Sequence, residues 1–383
     1  MEAERYIRLF AAACAASLSP VWCPATLAGE ALAFSAAEIE RILAHGPWPP
    51  PASRDPSNRA SGKPGAVRFG ATLFSSPRLS GHGGLLCASC HETWRAFSDG
   101  RERALGIEPL ERNTPGLLNV GLHAWFGWDG ANDNLWAQSI RPLLDPREMG
   151  SSAGRIAALV RGDGELSALY EGAFGASPPA DDEAVLVDVG KALAAYQETL
   201  VSGRTPFDEF RDALAGRDEE TAGRYPLQAQ RGLRIFLARG CAGCHAGPGF
   251  TDGRFHRVGG APDPGREGGV RKLRASRYNL LGPYNDAPSR AGAARTAAAV
   301  AAAGEAGAFR TPGLRHAALT APYLHDGSLG TLCEVVRRHP ERGLEPAASA
   351  LAQAERRDLV AFLLTLVPAR ERSPDEERPA SCP

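Results

Sequence analysis

The sequence lacks the features that place a chain in a membrane or on a nucleic acid. Its 383 residues carry 43 basic and 44 acidic side chains, which gives a formal net charge of −1. Nucleic-acid binders need a basic surface that releases counterions, so this balance argues against that class. After residue 28 no apolar run approaches the roughly 20 residues that span a bilayer.

Methionine and lysine are also scarce. The only methionines are Met1 and Met149, and three lysines stand against 40 arginines. A hydrophobic fraction of 43% nevertheless suffices for buried cores. The 43 glycines and 30 prolines predict long and numerous loops.

Residues 1–28 resemble an export signal. The stretch from Leu9 to Leu27 is mostly small and apolar, follows two arginines and leads to a small-residue cleavage site at Ala28. Two nearby acidic residues and two prolines leave a simple N-terminal helix as the alternative. We expect a signal peptide at 1–28 and an exported mature protein.

Two matching five-residue motifs point to the chemistry. Cys87-Ala88-Ser89-Cys90-His91 and Cys241-Ala242-Gly243-Cys244-His245 each read C-x-x-C-H, the attachment signal of c-type haem. On a short helix the two thiols share a face and reach the two vinyl groups of one porphyrin, while the adjacent histidine ligates the iron. The sequence therefore predicts two covalently bound haem c groups.

A redox dithiol and a zinc site are the alternatives for these cysteines. A thioredoxin-like C-x-x-C needs a βαβ context, which the sequence does not show. Zinc would use the four thiolates, with or without the histidines. The histidine at the same offset in both motifs favours haem, as does the export signal, because haem c is normally attached outside the cytoplasm.

Two haem motifs predict a mainly α chain of two cytochrome c-like domains packed against each other. Helices are expected at 67–74, 182–200, 230–239 and 355–367. We expect an N-terminal extension at 29–66, an N-terminal haem domain at 67–205, a C-terminal haem domain at 206–369 and a disordered tail at 370–383. Polar residues 202–224 are the expected hinge, and packing of the terminal helix on the first domain is an alternative.

Further short motifs surround the haem signals. They are Leu79-Ser80-Gly81, Arg112-Asn113-Thr114-Pro115, Trp128-Asp129-Gly130, Gln138, Pro142, Pro146-Arg147-Glu148-Met149-Gly150, Phe250-Thr251-Asp252-Gly253, Thr311-Pro312-Gly313-Leu314-Arg315 and Thr320-Ala321-Pro322-Tyr323-Leu324-His325-Asp326-Gly327. In these motifs the chain resembles the bacterial diheme cytochrome c peroxidases and the related protein-oxidising enzyme MauG, from about residue 68 to 367.

The resemblance implies that the haem on His91 is the peroxidatic one, with an open iron position below Gln138 and Glu148. A carboxylate can take a proton from hydrogen peroxide and return it to the leaving oxygen, and an amide can hold peroxide or water. Trp128 matches the tryptophan that lies between the haems. Taken alone, these three residues would be read as a surface carboxylate, a helix-surface glutamine and a core tryptophan.

The sixth ligand of the second haem is where this chain departs from the family. That ligand lies about fourteen residues beyond the histidine of the H-D-G motif, and it is methionine in the peroxidases and tyrosine in MauG. Here the position holds His339, which predicts bis-histidine ligation with His245 and a lower potential than His/Met ligation. The alternative is that His339 is a solvated residue at a helix end, and Met149 is assigned to packing near the first haem.

A second departure concerns activation. Many family members carry a histidine after the first haem motif that closes the peroxidatic iron at rest, whereas residues 92–122 contain no histidine here. The first haem is therefore expected to be open, with His123 as the one candidate to close it. His45 is expected to be exposed, and Cys333 and Cys382 could pair in an oxidising compartment.

Three residues match the family's inter-domain calcium site, Asn113, Thr320 and Pro322. An amide oxygen and two backbone carbonyls completed by water suit calcium better than zinc or iron. The resemblance therefore implies a calcium ion that fixes the geometry between the haems.

Taken together, the sequence predicts a periplasmic peroxidase that reduces hydrogen peroxide to water. Its electrons would come from a small periplasmic cytochrome c or cupredoxin, through the C-terminal haem. One alternative is a MauG-like enzyme that oxidises tryptophan or tyrosine of a partner protein. A plain electron carrier is the other, and it requires both irons to be closed. Family peroxidases are often dimers, so a homodimer is a further expectation.

Overall fold

The computed structural model describes residues 32–257, 262–287, 289–339, 351–368, 371 and 382. The expected signal peptide and most of the expected tail lie outside the described residues. Within the described part, no helix is both long and apolar enough to cross a membrane.

Helices dominate the described residues, which confirms the expected mainly α fold. They are α1 (Ala36–Leu43), α2 (Pro64–Phe74), α3 (Cys87–Cys90), α4 (Leu135–Leu144), α5 (Ala153–Gly162), α6 (Gly164–Phe174), α7 (Asp182–Gln197), α8 (Pro206–Gly216), α9 (Glu219–Gly223), α10 (Leu227–Ala238), α11 (Gly265–Ala275), α12 (Ala293–Ala301), α13 (Leu332–Arg338) and α14 (Gln353–Leu364). Two short strands, β1 (Phe255–Arg257) and β2 (Ala308–Arg310), pair antiparallel with Phe255 opposite Arg310.

Two hydrophobic cores organise these helices. The first is built mainly from α2 and α4 to α7 and includes Phe69, Trp136 and Ile140, all fully buried. The second is built from α1, α8, α10, α13 and α14 around Phe236 and Phe362. Burying one such aromatic side chain contributes about 1.5–3 kcal/mol, so each core is a large source of stability.

In each core, one glycine lets two main helices approach closely. A Cβ on Gly70 in α2 would lie 2.0 Å from the carbonyl oxygen of Ala192 in α7. A Cβ on Gly232 in α10 would lie 1.9 Å from the carbonyl oxygen of Asp358 in α14. The terminal helix α14 thus packs on α10 in the second core, and the alternative that it packs on the first domain is wrong.

The segment expected to be a hinge is largely helical. Within 202–224, α8 buries Phe207 and Phe210 in the second core. Asp208, which made the segment look polar, is 1% exposed and forms an ion pair with Arg315. The hinge expectation failed because the partner of this carboxylate lies more than 100 residues along the chain.

The two halves share a repeated framework. Residues 114–130 and 311–327 both begin Thr-Pro-Gly-Leu and end Asp-Gly. Each contains a left-handed residue before a 3-10 turn, Asn119 at φ 66° and His316 at φ 63°. The amide of Asn119 donates to the carbonyl of Leu200, and that of His316 to the carbonyl of Leu366. These contacts place Thr-Leu-Val at 199–201 and 365–367 in equivalent positions.

Candidate active site: two cavities with C-x-x-C-H walls

The first haem motif lines a cavity of about 620 Å³, referred to below as the N-terminal cavity. Its wall includes Cys87, Cys90 and His91 together with Gln138 and Glu148. This volume lies in the range of about 300–1,000 Å³ usual for bound cofactors. The structure therefore brings the attachment motif and the expected distal residues to one space.

The second haem motif lines a separate cavity of about 540 Å³, the C-terminal cavity. Cys241, Cys244 and His245 lie in its wall, and so does His339. The ring centres of His245 and His339 are 6.3 Å apart, with the planes inclined by 54°. Two metal–nitrogen bonds of about 2 Å, plus about 1 Å from each nitrogen to its ring centre, span a similar distance of about 6 Å. The pair fits two imidazoles on opposite sides of one iron.

Each motif histidine is oriented by a backbone carbonyl. His91 Nδ1 lies 2.7 Å from the oxygen of Phe97, and His245 Nδ1 lies 3.1 Å from that of Phe250. A proton on Nδ1 leaves Nε2 for the metal, which is the usual arrangement of a ligating histidine. Phe97 and Phe250 both have positive φ, 63° and 53°, a strained backbone of the kind found at functional sites.

Burial favours the neutral form of the histidine in both motifs and of the two cysteines in the first one. It lowers the pKa of His91 and of His245, which favours the neutral imidazole that binds a metal. It raises the pKa of Cys87 to about 12 and that of Cys90 to about 11. A catalytic dithiol has a lowered thiol pKa instead, so the redox alternative is not supported.

The zinc alternative also finds no support. Among the described residues, the one group of three metal-binding side chains within reach of each other is Cys244, Asp252 and His256. It holds one motif cysteine rather than four, and that cysteine is a thioether once haem is attached. His256 Nε2 lies 2.7 Å from a carboxylate oxygen of Asp252, so the two form a pair of their own.

The distal residues of the N-terminal cavity are held by neighbours. Gln138 in α4 accepts a hydrogen bond from Asn132 Nδ2 at 2.8 Å through its Oε1, which leaves its amide N–H groups as donors. An oxygen of Glu148 lies 2.7 Å from Arg141 Nη1. The Glu148 side chain is 15% exposed. Its loop is fixed by the Ile107 amide, which donates to the carbonyl of Glu148.

The two cavities differ in the residue that occupies one position of the repeated framework. Four residues after the final glycine of each repeat, Asn134 and Thr331 cap α4 and α13 through side-chain oxygens. Eight residues after its cap, the N-terminal half carries Pro142, which lines the N-terminal cavity. At the same place the C-terminal half carries His339. Proline offers no ligand atom, so the equivalent position cannot close the first iron.

Trp128 forms part of the wall of both cavities. Its Nε1 donates to the carbonyl oxygen of Asn113 at 2.9 Å, which fixes the ring. His123 also borders both cavities, and burial, with a smaller effect of Arg310, holds its pKa well below the usual value. The Trp128 residue thus borders both haem cavities.

Comparisons with known proteins decide the family. A model of the di-haem cytochrome c peroxidases matches residues 64–217. The chain is 37% identical over 313 residues to the methylamine utilization protein MauG of Methylorubrum extorquens, covering 79% of this chain and 78% of that protein. The chain belongs to the bacterial diheme cytochrome c peroxidase and MauG family.

Other family members show the same breadth of likeness. Identity to the cytochrome-c peroxidase IdrP2 of a Pseudomonas species is 30%, over 80% of this chain and 82% of that one. A MauG-like protein associated with microbial copper homeostasis superposes with a TM-score of 0.62 and 27% identity, covering 88% of this chain and 99% of that one. The diheme peroxidase BthA of Burkholderia thailandensis gives 0.62 and 25%, over 84% and 90%. Family membership implies two haem c groups and an oxidoreductase activity.

The residues expected to bind calcium border one cavity. Asn113, Thr320 and Pro322 all line the C-terminal cavity. Asn113 Nδ2 donates to the carbonyl of Arg101 at 2.8 Å, which leaves its Oδ1 as an acceptor. A neutral amide and carbonyl oxygens suit calcium with several waters, so the donor set fits the ion that the family resemblance implies.

His45 corrects one expectation. It is 3% exposed rather than solvated, and its Nε2 lies 3.2 Å from the carbonyl oxygen of His245. Its ring also packs on Phe250 at 4.7 Å between centres. Its Nδ1 contacts the carbonyl oxygen of Arg41 in the preceding turn, but the contacts to His245 and Phe250 join segments about 200 residues apart and leave no local signal in the sequence.

Other features were missed or left open by the sequence. Arg141 lies one helical turn after Gln138, and this spacing could have indicated it. The carbonyls that hold the two motif histidines belong to repeated Phe-Ser/Thr-Asp-Gly segments, at 97–100 and 250–253, so the repeat was visible. Cys333 in α13 forms a disulfide with Cys382, whose carbonyl oxygen accepts from Arg357 in α14. The disulfide thus ties the helix that leads to His339 to the second core.

Proposed function

We propose that this protein is an exported diheme peroxidase that reduces hydrogen peroxide to water at the N-terminal haem. Electrons reach that haem through the C-terminal one. The observation that carries the proposal is the contrast between Pro142 and His339 at one framework position. It leaves an open iron position in one cavity and provides a second histidine in the other. A plain electron carrier would need both irons closed.

The haem iron, when bound, supplies the redox chemistry, and the chain supplies the proton transfers. Glu148 would take a proton from one oxygen of hydrogen peroxide and deliver it to the other, which would leave as water. The Gln138 amide donates a hydrogen bond that orients the peroxide. Arg141 holds the Glu148 carboxylate in place through its 2.7 Å contact.

Trp128 and calcium complete the proposed arrangement. The tryptophan, which borders both cavities, relays electrons between them. Asn113, Thr320 and Pro322 hold calcium at the boundary and fix the distance between the haems. His245 and His339 would hold the C-terminal haem, and a small periplasmic cytochrome c or cupredoxin would supply its electrons.

A MauG-like activity on a partner protein is the second candidate. It is favoured by the 37% identity to a MauG protein and by the lack of any methionine beyond Met1 and Met149. In that case the same oxidising power is directed to a tryptophan or tyrosine of the partner. Rapid steady-state turnover with reduced cytochrome c supports the peroxidase, whereas slow turnover with oxidation of an added protein supports the MauG-like enzyme.

The first test is the reaction of the diferric, haem-loaded protein with one equivalent of peroxide. We expect a rapid change in the visible spectrum of the wild type. We expect E148Q to slow that change by roughly 10²- to 10⁴-fold, the usual effect of losing a general acid–base group, with both haem spectra preserved. The matched control is E111Q, since Glu111 also borders the N-terminal cavity but is an exposed partner of Arg147. Wild-type rates in E148Q would refute the role of Glu148.

A further inference from the structure

Among the described residues of the C-terminal half, three arginines are buried, and two of them have evident partners. Arg315 forms two hydrogen bonds to the Asp208 carboxylate, at 2.9 and 2.7 Å, and its guanidinium lies over the Trp48 ring. Arg266 donates to two backbone carbonyls, those of Asp129 and Gly130. Both side chains are thus compensated within the chain.

Arg310 is buried to the same degree without such compensation. It is 8% exposed, and its buried Nε has no hydrogen-bond partner. Its one hydrogen bond from the guanidinium among the described residues goes to the carbonyl of Thr311 at a long 3.4 Å. No described carboxylate forms an ion pair with it. A guanidinium remains charged under such burial, and a buried charge without a counter-ion is strongly unfavourable. An anion bound next to Arg310 would therefore stabilise its buried charge.

The position of Arg310 shows which anion can reach it. The residue ends β2, its amide donates to the carbonyl of Trp128 at 2.9 Å, and Arg310 is among the residues that line both cavities. In the repeated framework its counterpart is Asn113, whose amide donates to the carbonyl of His325 at 3.0 Å. Arg310 and Asn113 thus occupy equivalent places where the two cavities meet.

We propose that Arg310 is the counter-ion of the haem propionates, shared by both haems at the boundary of the cavities. Thioether bonds fix each porphyrin by its vinyl groups, and the propionate carboxylates are the anions that each haem brings into its cavity. The planar guanidinium offers five N–H donors and suits carboxylates well. A positive charge here favours the ferrous over the ferric state, so Arg310 raises the potential of both haems. The inference rests on haem binding and not on the reaction with peroxide.

Reduction potentials of the two-haem protein test this assignment. In R310Q we expect both potentials to fall, with each one-electron equilibrium shifted about tenfold toward the ferric state, which corresponds to about 59 mV. We expect R310K, which keeps the charge, to give a clearly smaller shift. The matched control is R257Q, which removes an arginine that is 73% exposed from the neighbouring strand β1 and should leave both potentials unchanged.

Two results would overturn the proposal. One is a folded R310Q protein with both haems attached and with wild-type potentials. The other is a fall in the potential of one haem alone, which would refute the sharing. Because R310Q could fail to fold, redox-difference infrared spectra of R310K and the wild type provide a second measurement. We expect the propionate carboxylate bands to move in R310K, and unchanged bands would contradict the contact. Neither readout depends on peroxide turnover.

Discussion

In the N-terminal half, the helix after the Asp-Gly turn carries Pro142 eight residues beyond its cap. In the C-terminal half, the chain at that place carries His339. The motif histidines before them are held alike, each by the carbonyl of a phenylalanine in the left-handed conformation. One framework thus serves both cavities. In the function proposed above, a single side chain at this position distinguishes an open iron site from a closed one.

The same comparison locates other specialised residues. Trp128 of one half corresponds to His325 of the other, which is buried and stacked on Phe309 at 3.6 Å between ring centres. Glu198 corresponds to Leu364, because both precede the shared Thr-Leu-Val segment. Where the halves differ in chemistry at a shared position, a functional difference is expected, and exchanging those residues tests it.

The largest effect is expected from P142H, which gives the N-terminal half the residue of the C-terminal half. The imidazole should close the first iron, make both ferric haems low-spin and slow the reaction with peroxide by at least about 100-fold. Electron paramagnetic resonance and stopped-flow absorbance measure the two effects. The control is P142A, which also removes the proline but adds no ligand and should stay open. A high-spin, reactive P142H protein would break the correspondence.

A smaller and more local effect is expected from H339M. Exchanging imidazole for a thioether raises the potential of the C-terminal haem, and we expect a rise on the order of 100 mV, well within the range of about 0.8 V that axial ligands cover. The N-terminal haem should keep its potential. Spectroelectrochemical titration gives both values, with R338Q, a change at the exposed neighbouring residue, as the control. If H339M leaves the C-terminal potential unchanged, His339 is not the ligand.

The smallest effect concerns stability at Glu198. Burial raises the pKa of this carboxyl to about 7, and one of its oxygens has no hydrogen-bond partner. Between pH 4.5 and 7 the folded chain keeps a proton that the unfolded chain releases. The stability linked to this group is therefore full below about pH 4.5 and lost as pH rises through 7.

E198Q removes this dependence while keeping an acceptor for the Ser61 hydroxyl, which donates to Glu198 at 2.7 Å. We expect E198Q to be more stable than the wild type by about 1–2 kcal/mol above pH 7, after allowance for solvent screening. The two should converge near pH 4.5. Melting midpoints across this range measure the difference, and E108Q at an exposed position should follow the wild type. Parallel curves for E198Q and the wild type would contradict the assignment.

The sequence predicted what local motifs encode and missed what depends on distant contacts. The C-x-x-C-H spacing predicted both attachment sites. The family motifs predicted that Gln138 and Glu148 lie near the first of them, and the structure places both residues in the wall of that cavity. The sequence could not single out Arg310 among 40 arginines, because its burial and its lack of a counter-ion depend on the fold. His45 and the segment around α8 were misread since their partners, His245 and Arg315, lie far along the chain.

The most direct test of the contrast between the two cavities is the low-temperature electron paramagnetic resonance spectrum of the diferric protein. An open first iron and a bis-histidine second iron predict one high-spin and one low-spin signal in equal amounts, the low-spin one with the g-values of two imidazole ligands. Two low-spin signals in the wild type would show that the first iron is closed and would contradict the account. His123, which lines the N-terminal cavity, would then be the candidate ligand.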